Sequence, residues 1–289
     1  MNKHEISAKF RVKPGTKVRL QDYDPGWTGG KDAKQNDKEI LSRNLQRLSD
    51  AQELLWSTKK YALLIVLQGM DTAGKDGLIS HVMSGLNPQG CVATPFKQPT
   101  EEELDHDFLW RCQRFLPPHG RISIFNRSYY EEVLVVRVHP EWLDRQHLAR
   151  DVRGKQLWQE RYQEINDFEK HLTRNNTVIV KFFLNISKKE QKNRLLARLD
   201  DPEKQWKFSP SDLSERGYWK DYVRAYEDAL TATSEDEAPW YILPADHKWV
   251  SRWVASEILA ETIESLDLKL PKPTKEQLEM IGQAKEKLA

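Results

Sequence analysis

Short apolar runs alternate with longer amphipathic stretches along most of this chain. The runs at 61–68 (YALLIVLQ), 91–94 (CVAT), 121–126 (RISIFN), 177–184 (TVIVKFFL) and 240–243 (WYIL) are short and dominated by apolar side chains, which predicts strands. The gaps between them repeat apolar positions at helical spacing and predict helices over 75–86, 100–115, 128–138, 155–174, 187–199, 210–232 and 247–266. Strand and helix in alternation predict an α/β fold with a mostly parallel five-stranded sheet flanked by helices in three layers. Upstream, Leu41, Leu45, Leu48 and Leu55 give the stretch 37–56 one apolar face. Residues 1–35, with Pro14, Pro25 and glycines at 15, 26, 29 and 30, show little periodicity and are expected to form an extended arm, either solvated or wrapped on a neighbour. After Leu268 the run Lys-Leu-Pro-Lys-Pro-Thr stops the helix, and 274–288 is a short charged helical tail. The organisation predicted is an arm (1–35), a single domain (36–268) and a tail (269–289).

Composition narrows the function. Hydrophobic residues make up 38% of the 289 residues, but ten Trp, nine Tyr and nine Phe supply enough buriable surface for one large core. Forty-five basic and 44 acidic residues leave a net charge of +1, so a polyanion must be met by a local patch, and bulk nucleic-acid binding is not expected. Cys91 and Cys112 make no C-x-x-C pair, and the eight histidines show no metal-ligand spacing, which argues against disulfide, zinc-ribbon and transition-metal frameworks. No apolar run approaches the roughly 18 residues of a membrane span, and residues 1–14 lack a signal-like core. A soluble cytoplasmic protein with no membrane partner is expected.

The chemistry concentrates first at residues 69–76, Gly-Met-Asp-Thr-Ala-Gly-Lys-Asp, directly between the first strand and the next helix. Gly69 and Gly74 let the backbone of Thr72 and Ala73 curl so that successive N–H groups face an anion, while Lys75 reaches toward a phosphoryl group. This is a P-loop, and with it the predicted architecture is that of a P-loop kinase. Asp76 stands where a Ser or Thr usually touches magnesium, and a carboxylate there can replace the hydroxyl or hold a metal-bound water. Asp71 inside the loop would repel phosphate unless a metal bridges them, or it orients the attacking acceptor; a loop-stabilising Asx turn is the plain alternative.

A second constellation, Phe-Asn-Arg-Ser-Tyr-Tyr-Glu-Glu at 125–132, begins at the C-terminal end of a predicted central strand, where open α/β sheets bind ligands. Arg127 can lie across transferring phosphoryl oxygens, and Glu131 or Glu132 can hold a metal or its waters. Ser128 with Glu131 three residues on also reads as a capping box. Arg137 is expected in a surface ion pair. Residues 188–207 carry seven basic and four acidic side chains. Lys188, Lys192, Arg194, Arg198, Lys204 and Lys207 make either a solvated face or, following the fourth strand, a cationic lid over about 187–220. Asn87, in Leu-Asn-Pro-Gln-Gly, and Arg111 are expected to line the acceptor side, an exposed ion pair being the alternative for Arg111.

Taken together, these motifs resemble the polyphosphate kinase 2 family. The marks are Gln-Gly-Met-Asp-Thr-Ala-Gly-Lys-Asp-Gly (68–77), Gly-Leu-Asn-Pro-Gln-Gly (85–90), Asp-Phe-Leu-Trp-Arg (107–111), Phe-Asn-Arg-Ser-Tyr-Tyr-Glu-Glu-Val (125–133), Arg-Leu-Asp-Asp-Pro-Glu-Lys-Gln-Trp-Lys-Phe (198–208) and Ala-Pro-Trp-Tyr (238–241). The resemblance implies reversible phosphoryl transfer between inorganic polyphosphate and nucleoside mono-, di- or triphosphates, with Mg²⁺ or Mn²⁺. It implies Asp71, Lys75, Arg127 and Glu131 as the active-site set, Asp71 and Glu131 toward metal, and lid cations on the polyphosphate chain. Asn126, where other members carry Asp, resembles the branch that uses both AMP and ADP; guanine nucleotides are further candidates. A homodimer or homotetramer is implied. An ATP-dependent nucleotide kinase of the same fold is the rival, and a noncatalytic nucleotide-sensing switch the alternative of another class.

Overall fold

The computed structural model describes residues 3–35, 37–148 and 154–288. Helix α1 (Lys3–Phe10) is the first described element, and α2 (Lys31–Gln35) precedes the long α3 (Asp37–Thr58). Strand β1 (Ala62–Gly69) leads into α4 (Lys75–Met83), and β2 (Cys91–Pro95) into the short α5 (Glu101–Leu104) and α6 (Trp110–Gln113). Next come β3 (Ile122–Asn126), α7 (Glu131–Val138), α8 (Lys155–Arg174) and β4 (Thr177–Asn185). The chain closes with α9 (Lys188–Asp200), α10 (Pro210–Gly217), α11 (Trp219–Thr233), β5 (Trp240–Pro244), α12 (Lys248–Glu264) and α13 (Lys275–Leu288).

All five strands run parallel, in the order β2-β3-β1-β4-β5. Side chains alternate across the central strand: Leu63, Ile65 and Leu67 join the core under α3, α4 and α12, while Leu64 and Val66 join the core under α7, α8 and α11. The chain leaves β1 toward β2 through α4, on one face, and leaves β3 toward β4 through α7 and α8, on the other. Adjacent strands β1 and β3 thus send their connections apart, and the crevice between their C-terminal ends is the switch point where such sheets bind ligands. The 69–76 loop and Asn126–Arg127 flank it.

Three predicted elements take another form. The expected extended arm instead contains helix α1, and its described residues pack on the domain: Ile6, Phe10, Val12, Val18 and Leu20 are buried. Val12 N donates to Trp240 O (2.8 Å) and Arg11 bridges Tyr241 antiparallel, which covers the free edge of β5. The expected helix 100–115 is split into α5 and α6, because the Asp107 carboxylate accepts from Leu109 N (2.9 Å) and Trp110 N (3.2 Å) and starts a new turn. The expected helix 210–232 breaks between Gly217 and Trp219, at Tyr218.

One charged cluster lies wholly inside. Lys181 of β4 is fully buried, pairs with Glu169 of α8, and donates to Tyr130 Oη (3.0 Å) and Thr233 O (2.6 Å). Among the described residues no helix is long and apolar enough to cross a membrane.

Candidate active site

The loop after β1 turns at Gly69, passes through Thr72 with φ +63°, and enters α4 from Gly74 with φ +109°. Gly74 tolerates that conformation, whereas Thr72 is β-branched and strained there, so its surroundings must hold it. Arg127, the first residue past β3, shares the left-handed conformation at φ +65°. Its N–H bonds Leu67 O (3.0 Å), pinning this second strained residue beside the loop. Strain in both arms of one crevice is the signature of a site whose geometry is imposed by the fold.

Side chains converge there. Arg127 donates to Asp71 (2.9 Å) and Glu131 (3.1 Å), so one guanidinium ties the phosphate loop to the first turn of α7. Lys75 Nζ curls back to Gly69 O (2.6 Å) and Met70 O (3.3 Å). Burial, with repulsion from Arg127 second, pulls Lys75 down to about 8. Asn126 Nδ2 donates to Asp76 (2.8 Å), joining the end of β3 to the start of α4. Asp71, Thr72, Gly74, Lys75, Asp76, Asn126 and Arg127 therefore all meet at one cleft, as the sequence predicts.

The structure also decides between neighbours. Glu131 faces Arg127, but Glu132, about 100° around the helix, is buried against Arg161 (3.3 Å) and Gln146. Glu132 is thus structural. The Ser128–Glu131 capping box does not form: Ser128 Oγ accepts from Tyr130 N (3.2 Å) and Gln68 Nε2 (3.3 Å), and Glu131 turns to Arg127 instead. Arg137 makes the expected ion pair with Asp228 and also donates to Tyr162 Oη (2.7 Å).

Two clefts share Asp71, Arg127 and Asp212. The larger, about 650 Å³, is cationic: Lys75, Lys97, Arg198, Lys204, Lys248 and Arg252 line it. The smaller, about 280 Å³, is walled by Trp142, Trp219, Tyr222 and Tyr226, with Glu131 and Glu215. Lys97, Lys248 and Arg252 were not singled out from the sequence. Lys248 and Arg252 sit four residues apart at the start of the helix after β5, a stripe like the one at 188–198, and that spacing was the available signal.

Other expected site residues lie elsewhere. Asn87 sits before β2, at the N-terminal end of the sheet and away from the crevice, where Gln52 brackets its backbone (2.7 and 3.0 Å) and its side chain caps Gln89 N (3.0 Å). Its role is a turn, not the acceptor site. Arg111 ion-pairs with Glu103 (3.4 Å), donates to Lys97 O (2.8 Å) and lies over the Phe96 ring, so it braces the strand end that carries Lys97. Of the predicted lid cations, Arg198, which pairs with Asp212 (2.9 Å), and Lys204 line the cationic cleft. Lys188 and Lys192 are exposed and line neither cleft, Lys188 resting over Trp219. The Lys207 side chain lies outside the described residues. Arg194 borders the cleft, but all five of its N–H groups are directed at the protein: Glu190, Thr72 O, Ala73 O, Ala245 O and Asp246 O. It has no donor left for a substrate, contrary to the sequence-based expectation.

No group of three or more His, Cys, Asp or Glu converges as a metal cage among the described residues. The donors present are nonetheless those of a hard cation bound jointly with phosphate: the carboxylates of Asp71, Asp76 and Glu131, plus Thr72 Oγ1, which is buried and finds no partner among the described residues.

Comparison with known proteins agrees with this geometry. Residues 31–271 match the family model described as Polyphosphate kinase 2. An "ADP-polyphosphate phosphotransferase" from Rhodopseudomonas palustris is 50% identical over 277 residues, covering 94% of this chain and 96% of that protein. An "AMP/ADP-polyphosphate phosphotransferase" from Meiothermus ruber is 45% identical, covering 92% and 96%. The crystal structure of Polyphosphate Kinase 2 from Arthrobacter aurescens superposes with a TM-score of 0.89 at 41% identity, covering 99% of this chain and 97% of that one.

Proposed function

The chain belongs to the polyphosphate kinase 2 family, and on that premise we propose that its two clefts divide one reaction between them. The enzyme is a kinase that moves a phosphoryl group between inorganic polyphosphate and nucleotides. In our reading the cationic cleft takes the polyphosphate chain, and the aromatic cleft takes the nucleoside. The observation that carries this is the shared wall: Asp71 and Arg127 border both clefts, so two phosphate ends entering from either side meet there.

Phosphoryl transfer asks mainly for alignment and neutralised charge. Loop N–H groups and the N-terminus of α4 face the phosphate, and Lys75, released from Gly69 O and Met70 O, supplies a cation. Arg127, held by Asp71 and Glu131, spans the transferring oxygens. Kinases of this family generally need a divalent cation. Mg²⁺, with Mn²⁺ as substitute, is the one the all-oxygen donors support; when bound it neutralises phosphate charge. Asp71, Thr72 Oγ1 and Glu131 would hold it or its waters. Residues 187–220 act as a lid, and Arg198, Lys204, Lys248, Arg252 and Lys97 grip the chain. ADP is the first acceptor, named for both relatives, and AMP the second, a reading that rests on Asn126 and the Meiothermus ruber relative. The proposed assembly is a cytoplasmic homodimer or homotetramer, and the exposure of α13 along its whole length supports a contact with a second copy.

The test supplies purified enzyme with long-chain polyphosphate, Mg²⁺ and, in turn, AMP, ADP, GMP and GDP, and measures nucleotide products. ATP formed from ADP only when polyphosphate is present supports the reading. Transfer from nucleotide donors alone overturns it in favour of an ATP-dependent nucleotide kinase.

A further inference from the structure

A planar trans peptide points the C=O of one residue and the N–H of the next in opposite directions. Whatever holds a loop's carbonyls therefore aims its amides. In the phosphate loop three successive carbonyls are held by one helix. Gln191 Nε2 of α9 donates to Asp71 O (3.2 Å), and Arg194 Nη1 donates to Thr72 O and Ala73 O (3.0 Å each). The N–H groups of Thr72, Ala73 and Gly74 are thereby turned away from α9. That of Ala73 closes a turn on Met70 O (3.1 Å); Thr72 and Gly74 line the cationic cleft.

The same two side chains anchor this arrangement to the rest of the domain. Arg194 Nη2 bonds Ala245 O (2.6 Å) and Asp246 O (3.0 Å) at the exit of β5, and its Nε bonds Glu190 (2.8 Å). Gln191 Oε1 accepts from Arg216 of α10 (2.6 Å), which also donates to Lys188 O (3.0 Å). Thr72, in the left-handed conformation that a β-branched residue resists, is one of the two loop residues whose carbonyls Arg194 grips.

We infer that Arg194 and Gln191 are positioning residues for the reaction: they set the peptide orientations of the phosphate loop and do not themselves bind polyphosphate. This rests on the reading that the loop binds a phosphate chain. A planar five-donor fork is what the arrangement requires, so a lysine at 194 keeps the charge but cannot span loop, β5 exit and helix together. The misaligned loop then costs turnover with any phosphate donor, short or long.

The experiment compares wild type, Arg194→Lys and Gln191→Leu with tripolyphosphate and with long-chain polyphosphate, at a temperature where thermal melts show each protein folded. The expected result is a fall in kcat of about 100-fold for Arg194→Lys and about 10-fold for Gln191→Leu. The long-to-short ratio of kcat/KM should stay at the wild-type value. A purely structural role would lower the melting temperature and leave kcat of the folded enzyme intact, which overturns the inference. So does a KM that rises for the long chain alone, since that marks a substrate contact. If Arg194→Lys does not fold, Gln191→Leu decides by the same criteria. Wild type that uses only nucleotide donors strikes the donor assignment instead, and kcat of the variants with that donor still judges the positioning role.

Discussion

Lys181 is fully buried and Lys75 half-buried in the wall of a cleft, and the two differ in what completes their surroundings. Lys181 offers its ammonium to a carboxylate, a phenol and a carbonyl, all supplied by the protein. Among the described residues Lys75 donates only to two loop carbonyls, with the Arg127 guanidinium nearby, and the carboxylates of Asp71, Glu131 and Asp76 only partly offset its burial. The first cluster is electrostatically closed and the second is open. On the reading that the loop binds a phosphate chain, an anion from outside completes the open cluster, which separates the role proposed for Lys75 from the structural one of Lys181.

The sharpest way to break this contrast is to remove each lysine. Lys75→Ala, and likewise Asp71→Asn, is expected to cut turnover on the order of 1,000-fold, about 4 kcal/mol of barrier, with thermal unfolding little changed. A variant working at near wild-type rate would place Lys75 with the structural lysines. Lys181→Met should do the reverse, because Glu169 is left buried and unpaired. Denaturant unfolding should show a loss of about 3–5 kcal/mol while the folded fraction turns over normally.

The pH profile sharpens the comparison more gently. Lys75 is charged below its value of about 8 and loses its proton above it. Since kcat/KM reports the free enzyme, it should fall as pH rises through about 8. A bound phosphate favours the charged form and raises the pKa of Lys75, so the corresponding fall in kcat should come at higher pH. Superimposed limbs, or a kcat/KM flat to pH 9.5, would contradict the open-cluster account. The smallest effect is expected at the rim: Lys248→Gln or Arg252→Gln should raise KM for long-chain polyphosphate roughly five-fold, about 1 kcal/mol, and leave nucleotide KM unchanged. That increase should shrink at high salt, where surface charges are screened.

The legible parts of the site were those contiguous in sequence. Asp71 and Lys75 lie in one loop that glycine spacing after an apolar run marks, Arg127 stands at the end of a predicted strand, and the family resemblance added Asn126 and Glu131 in the same turn. The choice of Glu131 over Glu132 depended on which face of α7 meets α8, where Arg161 claims Glu132. Asn87, in Leu-Asn-Pro-Gln-Gly, was expected on the acceptor side, yet it lies before β2, at the end of that strand away from the crevice. Arg194 shows the same limit: a cation stripe on a helix does not reveal whether one member faces solvent, substrate or a row of carbonyls.

Alternating apolar runs by themselves determined the five strands, most of the helices and the phosphate loop, because burial periodicity and backbone curvature are local properties of consecutive residues. Tertiary structure alone decided the strand order that opens a crevice between β1 and β3, the pairing of Arg11 and Val12 with β5, and the gathering of Lys97, Lys248 and Arg252 in one cleft with Lys75. Those features join segments separated by 20 to 200 positions or so, and only packing of the two helix layers on the sheet brings them together.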